Sequence, residues 1–426
     1  MRECHTCWHK EHIKFPPIKK RIIYLDQFLI SNIAKVLDPT ARSHAATATE
    51  PFWLEVYKKL DRLSSLNLIV CPDSFFHNEE SMLSGDPPYK KLREVYEHLS
   101  HGITFYDHNT ITRFQVHQHL ENYLNGEPAK ALELDPTSVT HGDLHEWLGR
   151  MRISVNGNPF EGQIDGIRDE RERMYNSMIP VFQRWQTETG RDFMEWVREE
   201  ANAFGKGTVL AYVKHLKKQV ELPQKYAAQI LAGEEPDISL EDILPPPSVD
   251  IMQQITMVLR GRGLEDQALL EKAVEYLGSP DLINIPANHI AALLYAAIAR
   301  KAASGQKAVP NRGTFADVHA IASLLPYCDA MFIDNAMAAL LKEKPIDKEM
   351  SRYPAKIFSM NNKEEFMAYL DEIEAQVTPE HLSIIEDAYG ETWLDPNLNF
   401  LQGREEMDEM DRAFDEDDAT TSDSED

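Results

Sequence analysis

Cysteine is scarce. Four occur in 426 residues, at Cys4, Cys7, Cys71 and Cys328, too few for a disulfide framework. Cys71 and Cys328 stand in apolar, strand-like surroundings. Long hydrophobic runs are also missing. None approaches the ~20 residues that span a bilayer, and IAALLYAAIA at 290–299 reads as a buried helix segment. The opening residues, MRECHTCWHKEH, contain no apolar stretch of the kind a secretory signal requires. Together these absences lead us to expect a cytoplasmic chain with no membrane partner. Basic residues are outnumbered, 44 Lys and Arg against 70 Asp and Glu, for a net charge of −26. Residues 404–426 hold 12 acids and 2 arginines, so −10 belongs to that tail and −16 to the rest. Phosphate backbones are held by clustered Lys and Arg, which excludes a broad nucleic-acid-binding surface. Any such function needs a local basic patch or metal ions. No Walker A loop, Rossmann glycine fingerprint or G-x-S-x-G elbow is present.

What is present is a split alternation of strands and helices. Residues 1–19 form a Cys/His-rich head and linker ending in FPPIKK. From 20 to 107 the pattern predicts strands at RIIYLDQ (21–27), LNLIVCP (66–72) and GITFYD (102–107), with helices at 28–37, 50–64, SFFHNEESML and 89–100. Residues 108–284 read as a mostly α-helical insertion, broken at LDPTSVTHGD, SVNGNPFEGQ and ILPPPSVD. The alternation resumes over 285–378, with helices at 287–304, 315–325, 335–343 and 363–375 and strands at 329–333 and 355–359. A C-terminal extension (379–403) and an acidic tail (404–426), whose composition predicts disorder, complete the chain. Alternating strands and helices predict an α/β fold, a parallel sheet flanked by helices and interrupted by the insertion.

The acids fall at positions where such a sheet gathers ligands. A helix from Asp317 to Leu325 advances roughly 12 Å at ~1.5 Å per residue. The strand 329–333 returns roughly 16 Å at ~3.3 Å per residue. Asp334 therefore comes back to the edge where Asp317 starts, and Asp329 stays at the far edge. Asp26 ends the first strand, and Glu80 lies about two turns into the helix after the second. Open α/β sheets bind ligands beyond the carboxyl ends of their strands, so four acids can converge there. Clustered carboxylates repel unless a cation sits among them, and Mg²⁺ or Mn²⁺ suits oxygen ligands. Each acid also has a structural reading. Asp26 can cap the next helix, TFAD (314–317) fits a capping box ending at Asp317, Asp334 can close a turn, and Glu80 can be an exposed helix acid like Glu79.

Four segments together resemble the PIN-domain nucleases, and more closely the divergent PIN-like proteins of bacteria. They are IIYLDQFLISN, VCPDSFFHNEES, FADVHAIASLLPYCDAMFIDNAMAALL and KIFSMNNKEEFMAYL. The resemblance covers roughly 20–106 and 285–378. It implies a PIN-like core and a metal-dependent endonuclease, acting on RNA more than on DNA. It also implies that Asp26, Glu80 (Glu79 less so), Asp317 and Asp334 are the metal-binding and catalytic carboxylates. Gln27 stands where the family commonly has Thr or Ser, and FID replaces the usual Thr before the last Asp. Two alternatives stay open: an inactive PIN-like module that binds protein or RNA, and an enzyme acting on mononucleotides. A protein partner on the insertion and self-association are also compatible with the sequence.

Further candidates are weaker. Cys4, Cys7, His9 and His12 could hold Zn²⁺, although one residue between Cys7 and His9 makes a four-ligand site tight. Gln27 and His77 lie near the expected crevice and could touch substrate. KKR (19–21) and YVKHLKKQ, with Lys214, Lys217 and Lys218, are the clearest basic clusters for holding phosphates.

Overall fold

The structure, a computed structural model, describes residues 2–3, 10–11, 15–82, 88–149, 164–236 and 245–398. Its centre is built from four short runs rich in β-branched and aromatic residues: β1 (Arg21–Leu25), β2 (Ile69–Val70), β3 (Ala330–Phe332) and β4 (Lys356–Phe358). They form a parallel sheet in the order β2-β1-β3-β4. In β1 the side chains alternate between two buried faces. Ile22 and Tyr24 join one apolar cluster, Ile23 and Leu25 the other, and none is more than 4% exposed. Parallel strands need crossover connections, which place helices on both faces. One face is covered by helices Gln27–Leu37, Phe52–Ser65 and Lys363–Glu374, through Ile33, Leu60 and Phe366 among others. The other is covered by Pro286–Ala303 and Arg312–Leu324.

The insertion supplies helices His108–Leu124, Ile164–Thr187, Phe193–Leu231, Pro247–Gly261 and Asp266–Leu277. Its Trp185 and Trp196 are fully buried in the same apolar cluster as Tyr24 and Met331, so its helices share a core with the sheet. A third cluster joins Val116 and Leu120 to the helices 247–261 and 266–277. Gly205 allows a close approach there: a Cβ at that position would stand 1.9 Å from the Leu277 carbonyl oxygen.

GITFYD contributes only Thr104–Phe105, which pairs antiparallel with Thr140–His141 from the insertion. A single parallel bridge, Asp73 to Thr104, ties this ladder to the sheet. The run stops early because Asp107 turns into a cap, its carboxylate accepting from the backbone N–H of Asn109 and Thr110. Among the described residues, no helix is long and apolar enough to cross a membrane. The proposed zinc ligands Cys4, Cys7, His9 and His12, the break at 154–163 and the acidic tail lie outside the described residues.

Candidate active site

The strand order decides where a ligand can sit. From β1 the chain passes to β2 on one side, and from β3 it passes to β4 on the other. Connections that diverge from neighbouring strands leave a crevice at their carboxyl ends. Asp26 immediately follows β1 and Asp334 closely follows β3. The Asp26 N–H donates to the Phe332 carbonyl at 2.9 Å, and the Ile333 N–H donates to the Phe358 carbonyl at 2.9 Å. Sheet hydrogen bonding thus fixes the backbone leading into each acid.

Both acids cap the helices that follow. Asp26 Oδ1 accepts from the Phe28 N–H at 3.1 Å, and Asp334 Oδ1 accepts from the Ala336 and Met337 N–H groups at 2.6 and 3.0 Å. Capping engages one carboxylate oxygen in each case, so it is compatible with ligation through the other. Glu80 lies in the helix Phe75–Met82 and is exposed. Its charge acts on both Asp26 and Tyr24. Asp317 is half-buried, and its charge acts on Tyr24.

The capping box expected at TFAD is not formed. The helix Arg312–Leu324 starts earlier, and its cap is Asn311, whose side-chain oxygen accepts from the Thr314 N–H at 2.8 Å. Asn is a stronger cap than Thr, so the helix begins at Asn311 and Asp317 falls past its first turn. A Cβ at Gly313 would come within 3.8 Å of Asp317 Oδ2.

Electrostatics ties the acids together. The Asp26 carboxyl is pushed up to about 6. Burial is the main cause, and the charges of Glu80 and Asp334 add to it. The Phe28 N–H and His77 act in the opposite direction. Burial drives the Tyr24 phenol well above its ordinary range, and Asp26, Asp317 and Glu80 push it the same way.

Beside these acids lies a buried stack. The His77 ring sits between Tyr24, at 5.0 Å and 15°, and Tyr96, at 4.3 Å and 22°. Its Nδ1 is 3.3 Å from Asp73 Oδ1, and Arg93 pairs with the other oxygen of Asp73. Burial alone would raise the Asp73 carboxyl, but His77 and Arg93 hold it down to about 2. Among the described residues, His77 Nε2 and Tyr96 Oη are buried without a hydrogen-bond partner.

The remaining candidates are placed as follows. Gln27 is buried and its Oε1 accepts from Ser81 Oγ at 3.2 Å; His77 is 2% exposed. Gln27 thereby joins the helix Gln27–Leu37 to Phe75–Met82, and His77 packs Phe75–Met82 against Tyr24 of β1. Lys214, Lys217 and Lys218 lie on the outer half of Phe193–Leu231. Asp329 is at the opposite, amino end of β1, paired with Arg21 at 3.0 Å and accepting from the Ile22 N–H at 2.8 Å. Sequence reasoning missed Asp73, Arg93 and Tyr96. The four-residue spacing of Asp73 and His77 was a visible signal, whereas nothing local points to Arg93.

Among the described residues, no three His, Cys, Asp or Glu groups are drawn close enough together to hold an ion as they stand. The charges of Glu80 and Asp334 reach Asp26, and those of Asp26, Asp317 and Glu80 reach Tyr24, but the four acids do not close on a single point. Their chemistry is an all-oxygen donor set, which matches Mg²⁺ or Mn²⁺ and not softer metals. No family model, curated protein or solved structure matches this chain.

Proposed function

We propose that this chain is a metal-dependent endonuclease with a PIN-like core, cleaving RNA in preference to DNA. The observation that carries the reading is Asp26. It is a half-buried carboxylate at the divergence of β1 and β3, pushed up to about 6 by burial and by its acidic neighbours. Such a group is costly to ionise without a cation beside it. Asp26, Glu80, Asp317 and Asp334 would hold the Mg²⁺ or Mn²⁺. When bound, such an ion supplies Lewis-acid activation of water and stabilisation of the leaving oxygen in phosphodiester hydrolysis.

The chain's own residues supply positioning. The two helix caps orient Asp26 and Asp334 through one oxygen each. The Tyr24–His77–Tyr96 stack, anchored by Asp73, fixes the helix that carries Glu80. No side-chain nucleophile is required. The preference for RNA rests on the resemblance alone.

The test is incubation of labelled single-stranded RNA and DNA with wild type and with Asp26→Asn, in Mg²⁺, Mn²⁺ or EDTA. Ion-dependent cleavage of RNA that Asp26→Asn abolishes supports the reading. A second reading is a non-catalytic module that binds protein or RNA. Binding of RNA without cleavage, insensitive to both ion and substitution, would establish it.

A further inference from the structure

The helix Phe193–Leu231 changes character along its length. Its first half is anchored by buried Trp196, Val197, Ala201, Gly205 and Thr208. Its second half carries exposed apolar side chains, with Val213 57%, Leu216 47%, Val220 66% and Ile230 62% exposed. Apolar residues recur there at steps of three and four: Val213, Leu216 and Val220, then Ala227 and Ile230 beyond Pro223. This is the a/d spacing by which one helix receives another. The flank is basic. Residues 206–225 contain five lysines and one acid, a net +4 in a chain of net −26. At 100° per residue, Lys206, Lys214, Lys217, Lys218 and Lys225 fall within an arc of about 120° beside the apolar seam. Lys217 pairs with Glu221 at 3.6 Å, and Lys225 lies over the Tyr226 ring at 5.6 Å.

The sequence contains a segment with the complementary pattern. Phe400, Met407, Met410 and Phe414 follow one another at steps of seven, three and four, and 404–426 carries a net −10. We infer that this C-terminal segment docks in cis, as an acidic amphipathic helix, along the apolar seam and lysine arc of residues 206–230. Opposite charge and a shared heptad spacing argue for this occupant over a second copy of the same helix, whose lysines would meet lysines. The described chain ends at Leu398, just after Asn397 is tied to Tyr57 and Asp61. Left extended ahead of the helix that carries Met407, Met410 and Phe414, the nine residues from Leu398 to Met407 can reach roughly 30 Å at ~3.3 Å each. Tethering also supplies a high effective concentration. This inference does not depend on the nuclease reading.

The experiment is zero-length carbodiimide cross-linking of the full chain, which joins a carboxylate to a lysine amine with loss of water, followed by peptide mapping of the monomer band. Acids of 405–418 should link to Lys206, Lys214, Lys217 or Lys225 at least five-fold more often than to Lys342 or Lys348. Replacing Met407, Met410 and Phe414 together by Ser leaves every acid and lysine in place, and an unchanged urea unfolding curve shows that the variant is folded. It should reduce those links at least five-fold. Three outcomes would each overturn the inference: links spread evenly over the lysines, links unchanged in the triple Ser variant, or links found only in covalent dimers.

Discussion

Asp26→Asn should make the protein more stable, although Asp26 is the residue on which activity is expected to depend most. The Asp26 carboxyl moves from 3.8 to about 6 on folding. A shift of about two units corresponds to roughly 3 kcal/mol between its protonated and ionised forms. The folded state of an acid raised in this way holds its proton more tightly than the unfolded state. Below the ordinary carboxylate range both states are protonated and the cost is absent. It grows as pH rises through the folded value of about 6 and is complete above it. Asn keeps the cap on the Phe28 N–H and has no charge to bury. In EDTA at pH 7.5, Asp26→Asn should therefore exceed wild type by about 1–3 kcal/mol in urea unfolding, and the difference should shrink as pH falls and vanish near pH ~3, below the ordinary carboxylate range. A variant less stable than wild type at pH 7.5, or a difference that does not change with pH, would refute the electrostatic reasoning.

Other substitutions probe the frame around the site. Arg93→Met removes a partner of buried Asp73 and should cost about 3 kcal/mol or more in urea unfolding. Because Asp73 is held at about 2, the pair's contribution is present above the ordinary carboxylate range. It is lost as pH falls through about 2, so the variant and wild type should converge in acid. Gly205→Ala forces a Cβ against the Leu277 carbonyl and should destabilise by about 1–3 kcal/mol; an unchanged unfolding midpoint would mean that the helices are not in this contact. Asp329→Asn weakens a partly exposed ion pair with Arg21 and should cost under about 1 kcal/mol. Its rate of RNA cleavage should equal that of wild type.

Much of the frame was legible because its signals are local. RIIYL, CDAMFID and AKIFS announce buried strands through β-branched and aromatic runs, and the structure places β1, β3 and β4 inside them. The acids could be assigned to one edge because strand direction follows from counting residues. Asp329 accordingly lies at the amino end of β1, and Asp26 and Asp334 lie at carboxyl ends. Boundaries were less legible. The start of the helix bearing Asp317 was misread because Asn311, beyond a Gly-containing first turn, outcompetes Thr314 as the cap. GITFYD looked like a sheet strand, but its partner, Thr140–His141, lies 36 residues downstream in the insertion. The burial of His77 could not be read at all. It depends on Tyr24 and Tyr96, each brought to it by a separate element, and on Arg93 from a helix whose facing is a tertiary outcome.

The most direct test of the four-carboxylate site is Mn²⁺ binding followed by electron paramagnetic resonance, which reads the free ion as protein is titrated in. Wild type and Asp329→Asn should deplete free Mn²⁺ equally, whereas Asp26→Asn and Asp334→Asn, shown to be folded by their unfolding curves, should each weaken binding at least ten-fold. Equal depletion by all four proteins would contradict the assignment of these acids as the metal site, and with it the proposed nuclease mechanism.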